Sequence, residues 1–105
     1  MKAVLQKNFG AADTLYLGEQ STPTPGPGQV LVRVVTTSVN RPDLIQREGN
    51  YPPPKGDSEV LGLEVAGIID AVGEGVDEWT PGDRVMGLVG GGAYAEFALA
   101  WVSHL

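Results

Sequence analysis

Few side chains in this sequence are suited to chemistry, and most of them stand between residues 38 and 51. Ser38, Asn40 and Asp43 follow an apolar run, and Tyr51 comes shortly after them. The Asn40 amide can both donate and accept, which suits it to a carbonyl or hydroxyl group of a ligand. The Tyr51 hydroxyl can hydrogen-bond a substrate oxygen while its ring stacks on a flat substrate. These residues predict a site for a small, flat molecule that carries oxygen.

The same residues also have a purely structural interpretation. Asn40 is a good helix cap, Pro42 suits a first helical turn, and Asp43 lies three residues after the cap. Tyr51 is followed by three prolines and can simply pack against them. On the residues alone, the binding and the structural interpretations both stay open.

The chain lacks the residues that several kinds of catalytic or binding site require. It has no cysteine and one histidine, His104, whereas a catalytic zinc site usually takes three protein ligands. A serine–histidine–aspartate triad would need His104 as its base, next to the chain end where fraying is expected. The glycines between Gly87 and Gly92 are followed by too few residues for the helix and second strand of a dinucleotide-binding unit.

Length, net charge and hydropathy argue against two classes of binding partner, nucleic acids and membranes. The 105 residues suffice for one domain, and the net charge of -6 without a basic cluster disfavours nucleic acid and anionic membrane surfaces. Residues 85–105 carry only one charged side chain, but four glycines and Glu96 argue against a spanning helix. The absence of cysteine is compatible with a reducing compartment, and we expect a cytoplasmic location.

The elements that would position these residues are short strands. Fifteen glycines and eight prolines favour strands joined by tight turns, and we expect a mainly β, barrel-like domain with one short helix. The helix is predicted over residues 44–48, with Asn40 as its cap and Gly49 ending it. Gly62 and Gly67 lie inside the strand predicted over residues 61–72 and predict bulges or bends there. Strands are predicted over residues 2–6, 15–17, 29–38, 61–72, 84–87 and 93–100.

Several motifs in order resemble one enzyme family. Residues 39–54, VNRPDLIQREGNYPPP, closely resemble the NADPH:quinone oxidoreductases, specifically the branch that contains the p53-inducible quinone oxidoreductase. Residues 61–67, the turns at 73–76 and 82–85, and residues 91–96 resemble segments of the same zinc-free medium-chain dehydrogenase/reductase superfamily. The likeness runs from Met1 to about Leu99.

The resemblance implies a fold and a role. It implies that residues 1–105 form a GroES-like, partly open β-barrel, the N-terminal catalytic domain of an alcohol dehydrogenase-like enzyme. The Rossmann domain, which would bind most of the NADPH, is absent from this chain, so we expect the isolated chain to be inactive. Zinc-dependent members place cysteine where this chain has Asn40 and histidine where it has Leu63, so no zinc is expected. The resemblance also implies a homodimer for the full-length protein.

The resemblance also implies site residues and a substrate class. Asn40 and Tyr51 would be catalytic and would contact the nicotinamide, and Asp43 would assist cofactor binding, mainly by supporting the Asn40 loop. Ile45 replaces a tyrosine of some relatives, so the pocket would differ there. Hydride transfer needs alignment of cofactor and acceptor rather than a nucleophile. The substrate would be a small quinone or an activated alkene. An enoyl reductase for unsaturated thioesters or ketones, and a non-enzymatic GroES-like binding module, are the alternatives.

Overall fold

The computed structural model describes residues 1–105 and consists mainly of β-strands. The predicted fold class, mainly β with one short helix, is confirmed. Two 3-10 turns cover Ala12–Thr14 and Val102–His104, and the α-helix, α1, covers Arg41–Arg47. The strands are β1 Lys2–Gln6, β2 Leu15–Glu19, β3 Gln29–Thr36, β4 Glu64–Val72, β5 Arg84–Leu88 and β6 Phe97–Trp101.

The strands form two antiparallel sheets. β1 and β2 make a two-stranded sheet, and the other four strands pair in the order β5-β4-β3-β6. β1 is joined to the segment before β6, because Ala3 bridges Ala95 and the Val4 N–H donates to the Tyr94 carbonyl at 2.8 Å. β5 and β6 keep their outer edges free in the larger sheet, so the barrel is only partly closed.

The core lies on one face of the larger sheet. The sequence places Val30, Val32 and Val34 on the same face of β3. Val30 and Val32 are completely buried and Val35 on the other face is 65% exposed, but Leu31, also on the other face, is only 5% exposed, so the predicted alternation holds in the second half of the strand and not at its start. The remaining buried members of this cluster come from β4, β5, β6 and the loop between β5 and β6: Val65, Ile69, Val85, Val89, Ala93, Ala98 and Ala100.

Two predicted strands begin later than expected. The strand predicted from residue 61 begins at Glu64, because Gly62 has a φ of +109° and interrupts the extended conformation. The strand predicted from residue 93 begins at Phe97. The backbone before it bonds to other segments, since the Tyr94 N–H donates to the Leu61 carbonyl at 2.9 Å and the Glu96 N–H donates to the Lys2 carbonyl at 3.0 Å.

One of the two predicted irregularities lies in the sheet at the expected place. The β3–β4 register shifts between Leu31 and Val32 and between Val34 and Thr36, and the second shift lies opposite Ala66 and Gly67, which pairs with Val34. Gly67 also marks a close approach, because a Cβ there would meet the Arg33 carbonyl oxygen of the neighbouring strand. Gly62 lies before β4, outside the paired region.

The helix begins earlier than predicted. It starts at Arg41 rather than at residue 44, directly after Asn40, whose φ of -119° and ψ of 157° are extended. Gly49, with a φ of +92°, follows the helix as predicted. No helix in the structure has the length and apolar character needed to cross a membrane.

Candidate functional site

The Asn40 side chain lies in a polar cluster between two strands and the helix. Its Nδ2 donates to Glu64 Oε2 at 3.1 Å and to Ser38 Oγ at 3.4 Å. The Asn40 side chain also faces the start of the helix, where it forms a capping box with Asp43. The loop after β3 therefore brings Asn40 both to the first residue of β4 and to the first turn of the helix.

The backbone around this cluster is held from the same loop. Thr37 Oγ1 donates to the Glu64 carbonyl oxygen at 2.6 Å. Hydrogen bonding with Ser38, and then with Asn40, holds the pKa of the Glu64 carboxyl below its usual value. Glu64 is thus an ionised acceptor at neutral pH, and an ionised carboxylate can only accept hydrogen bonds.

Asp43 lies on the inner side of the helix start. It is 2% exposed, and its Oδ2 accepts hydrogen bonds from the Asn40 N–H at 2.9 Å and from the Tyr94 hydroxyl at 2.7 Å. Its Oδ1 is buried without a partner. Asp43 therefore holds the backbone of Asn40 at the helix start, with the strengthening that hydrogen bonds to a carboxylate provide.

Tyr94 completes this support from the other side. Its hydroxyl is partly buried, and desolvation, followed by the hydrogen bond to Asp43, raises the pKa of the phenol well above its usual value. Tyr94 therefore stays a neutral donor throughout the physiological pH range. Gly62 packs against Tyr94 so closely that a Cβ there would lie 2.7 Å from the ring, which fits the tight approach of the two loops.

Tyr51 occupies a different part of the surface. It is 40% exposed, lies in the loop after the helix, and its hydroxyl makes no hydrogen bond within the chain. It borders a cleft of about 1100 Å³ that neither Asn40 nor Asp43 lines. Other residues of the cleft include Leu5, Phe9, Gln46, Val60, Leu61, Phe97 and Trp101.

The structure thus separates the predicted site residues into two groups. Asn40 and Asp43 are joined by hydrogen bonds, and Asp43 has the supporting position expected of it, with too little exposed surface for contact with a cofactor. Tyr51 shares neither their hydrogen bonds nor their surface. Joint contact of Asn40 and Tyr51 with one ligand stays a prediction.

Sequence reasoning missed three contributors to the site. Glu64 and Tyr94 bond to Asn40 or to its support and were not predicted, and Ser38, which stands in the polar segment singled out in the sequence, was given no role of its own. Glu64 could have been recognised from the sequence, because it is the one charged residue inside an otherwise apolar run of residues 60–69. A charge at such a position needs a polar partner.

The residues present do not form a zinc ligand set. No three histidine, cysteine, aspartate or glutamate side chains come together in the structure. Asn40 offers an amide that already donates to a carboxylate, and Leu63 has no ligand atom. The zinc-free assignment stays a prediction from these side chains.

The residues fit the carboxamide end of a nicotinamide cofactor only in part. Such a group carries an NH₂ donor and a carbonyl acceptor, and the Tyr51 hydroxyl has no partner within the chain, whereas the Asn40 side chain caps the helix and donates to Glu64 and Ser38. Asn40 is half-buried and Tyr51 is exposed, so both are accessible from outside the domain.

The chain is similar to parts of longer known proteins, which include a vesicle membrane protein homolog and a quinone oxidoreductase. The mouse (Mus musculus) "Synaptic vesicle membrane protein VAT-1 homolog-like" is 38% identical over 91% of this chain and 23% of its own length. The "Quinone oxidoreductase" of Lama guanicoe is 41% identical over 95% of this chain and 31% of its own length. The chain thus spans about a quarter to a third of these relatives.

Solved structures agree with the sequence comparison. The Escherichia coli quinone oxidoreductase complexed with NADPH superimposes with a TM-score of 0.88, at 30% identity, over 99% of this chain and 32% of its own. The JamJ enoyl reductase superimposes with a TM-score of 0.86, at 26% identity, over 99% of this chain and 34% of its own.

A family model settles the assignment. The alcohol dehydrogenase GroES-like domain matches residues 26–105, most of the chain. The resemblance to medium-chain oxidoreductases of the quinone oxidoreductase type, read from the motifs, is confirmed by these relatives and structures. The chain therefore belongs to the alcohol dehydrogenase GroES-like domain family.

Proposed function

We propose that this domain forms the substrate-side wall of a hydride-transfer site in an NADPH-dependent quinone oxidoreductase. The observation that carries the proposal is the half-buried Asn40 amide, which Glu64, Ser38 and the helix start hold at the end of the loop after β3. It lies within the segment that most resembles the quinone oxidoreductases, and quinone oxidoreductases are among the relatives and the superimposed structures.

The chain's own residues would bind and orient rather than react. NADPH, when bound, supplies the hydride and a quinone accepts it. Asn40 holds its ligand through an amide whose backbone Asp43 and Tyr94 keep in place. The Tyr51 hydroxyl can donate to the acceptor's carbonyl oxygen, where negative charge develops, and its ring can cover the flat acceptor. The loop bearing Tyr51 would have to meet the Asn40 surface in the assembled enzyme.

A direct titration tests whether this surface meets a quinone. Purified chain, labelled for NMR, is titrated with a soluble naphthoquinone, and we expect shifts centred on Asn40 and Tyr51. With NADPH added, we expect no turnover, since this domain supplies only one wall. Shifts confined to other parts of the surface would contradict the site, and sustained NADPH oxidation by the chain alone would contradict the one-wall assignment.

An enoyl reductase is the second candidate, supported by the JamJ enoyl reductase structure. A chimera decides between the two. The segment of the Lama guanicoe quinone oxidoreductase that aligns with this chain is replaced by residues 1–105, and its kcat/KM is measured with quinones and with unsaturated thioesters. A preference for quinones supports the proposal, and a preference for thioesters supports the alternative. Circular dichroism of the chimera confirms that it folds.

The cellular location, the oligomeric state and the ligand class of the full-length protein belong to the same proposal. We infer a cytoplasmic homodimer in the full-length protein, with a small quinone or activated alkene as the ligand of this domain. The absence of cysteine and the acidic net charge of -6 support a reducing compartment and disfavour nucleic acid.

A further inference from the structure

The ring of Phe9 packs against the residue that begins the Tyr51 loop. A Cβ at Gly49 would lie 2.8 Å from Phe9 Cγ, so the ring directly covers the Gly49 backbone. Gly49 has a φ of +92° and comes two residues before Tyr51. Phe9 is nevertheless 69% exposed and borders the same cleft as Gly49 and Tyr51. The ring therefore touches the start of the Tyr51 loop while most of its surface stays open.

The turn that carries Phe9 is fixed to the end of helix α1. The Gly10 N–H donates to the Arg47 carbonyl oxygen at 3.0 Å, and Arg47 Nε donates to the Gly10 carbonyl oxygen at 2.9 Å. Gln6 Nε2 donates to the same Arg47 carbonyl oxygen at 2.6 Å. Three hydrogen bonds thus hold the backbone beside Phe9 against the last helical residue, and they keep the ring next to Gly49.

The Tyr51 loop has less support on its far side. The Asn50 N–H donates to the Ile45 carbonyl oxygen at 3.0 Å, immediately before Tyr51. No backbone N–H of residues 51–56 donates to a backbone carbonyl, and the prolines at 52–54 have no N–H to donate. The position of Tyr51 therefore depends on its N-terminal side, where Phe9 meets Gly49.

Building on the proposed function, we propose that Phe9 is a positioning residue for Tyr51. Its ring, held by the turn at residues 6–10, fixes the start of the loop and thereby presents the Tyr51 hydroxyl to the ligand. A mostly exposed side chain suits this role, because it restrains the backbone beside it and its removal changes the stability of the domain little.

NMR of the purified chain without ligand tests the contact. In the wild type, we expect NOEs from the Phe9 ring protons to the Gly49 Hα protons. Phe9→Ser should lower the heteronuclear NOE of the Tyr51 amide and move its chemical shift, with a thermal midpoint close to that of the wild type. Phe9→Tyr keeps the ring and should restore the wild-type values. Leu17→Ser is the matched control, because Leu17 is 68% exposed and does not border the cleft.

Missing NOEs between Phe9 and Gly49 in the wild type would overturn the proposal, whatever the variants do. A Tyr51 amide with the same heteronuclear NOE and shift in folded Phe9→Ser as in the wild type would also overturn it. The wild-type measurement needs no substitution, so a variant that fails to fold does not remove the test.

A quinone titration connects the position of Tyr51 with binding. We expect Phe9→Ser to bind a soluble naphthoquinone at Tyr51 about two- to tenfold more weakly than the wild type, because a mobile tyrosine must be ordered on binding. Phe9→Tyr and Leu17→Ser should match the wild type. Weaker binding by Phe9→Ser with an unchanged Tyr51 amide in the free chain would indicate that Phe9 contacts the quinone itself, and would overturn the positioning role.

The proposed function can fail separately from this inference. If the naphthoquinone leaves Tyr51 unshifted in the wild type while Phe9→Ser loosens Tyr51 in the free chain, the positioning of Tyr51 stands and its role toward a quinone is overturned. If the wild type and Phe9→Ser bind the naphthoquinone equally at Tyr51, the quinone site stands and the positioning role is overturned.

Discussion

The Tyr94 hydroxyl and the Asp43 carboxylate are 2.7 Å apart, although 51 residues separate them in the sequence. The oxygen that accepts from Tyr94 also accepts from the Asn40 N–H at 2.9 Å. One buried carboxylate oxygen thus connects the loop between β5 and β6 to the start of the helix. The position of Asn40 depends on a residue near the other end of the chain.

Replacing Tyr94 with phenylalanine should destabilise the domain. The substitution keeps the ring and removes one of the two hydrogen bonds that Asp43 Oδ2 accepts. We expect the free energy of unfolding to fall by about 1–3 kcal/mol, the range for bonds to charged or buried acceptors. Urea unfolding measures it. Tyr16→Phe, at a 42% exposed tyrosine, is the control and should change stability by less than about 0.5 kcal/mol.

The contribution of Tyr94 should disappear at alkaline pH. Burial and Asp43 raise the pKa of Tyr94 in the folded state, so the unfolded chain loses the phenolic proton first. The stability from this group is therefore complete below about pH 10, the pKa of an unperturbed tyrosine, and is lost as the pH rises toward the folded value. Unfolding at pH 8, 10 and 11 should show the gap between wild type and Tyr94→Phe narrowing. A gap that widens with pH would contradict the direction of the shift.

Placing a second carboxylate at Asn40 should produce pH-dependent instability. In Asn40→Asp the new side chain faces Glu64, and two carboxylates at one site raise the pKa of one of them. A raised folded pKa gives stability that is present below the unfolded value and lost as the pH rises. We expect Asn40→Asp to unfold at lower urea than Asn40→Ala at pH 7.5, and the two midpoints to converge near pH 4. Parallel curves at both pH values would count against the contact.

Adding a methyl group at Gly67 should strain the larger sheet. A Cβ there would meet the Arg33 carbonyl oxygen, which is backbone and cannot turn aside. We expect Gly67→Ala to lower the free energy of unfolding by about 1–3 kcal/mol. Gly26→Ala is a suitable control, because its Cβ would meet only the end of the Gln29 side chain at 3.3 Å. Thermal unfolding of both variants by circular dichroism distinguishes them.

The sequence was informative where local chemistry decides the structure. The β-branched run in β3 predicted a strand with a buried face, and Asn40 with Asp43 predicted a helix start. The sequence pattern predicted that β4 and β6 begin earlier than they do, because the segments before them are extended and form hydrogen bonds outside the regular ladders. A positive φ at Gly62 cannot be distinguished from a bulge by composition alone.

The site was predicted only in part, for a similar reason. Asn40 and Asp43 are three residues apart, and their relationship follows from helix geometry. Glu64 and Tyr94 reach them from 24 and 51 residues away through the pairing of distant segments. Single-sequence patterns report neighbours along the chain, so these long-range partners required the folded structure.

The tie between β1 and the segment before β6 affects the order in which the domain can form. Residues 2–4 and 94–96 pair with each other, through the Ala3–Ala95 bridge and three hydrogen bonds that involve Lys2 or Val4. Contacts between such distant positions require closure of nearly the whole chain, which is slow compared with local folding. During synthesis, the first strand must wait for residues 94–96 to leave the ribosome before it finds this partner. Asn40 therefore acquires its complete support only after Tyr94 has emerged.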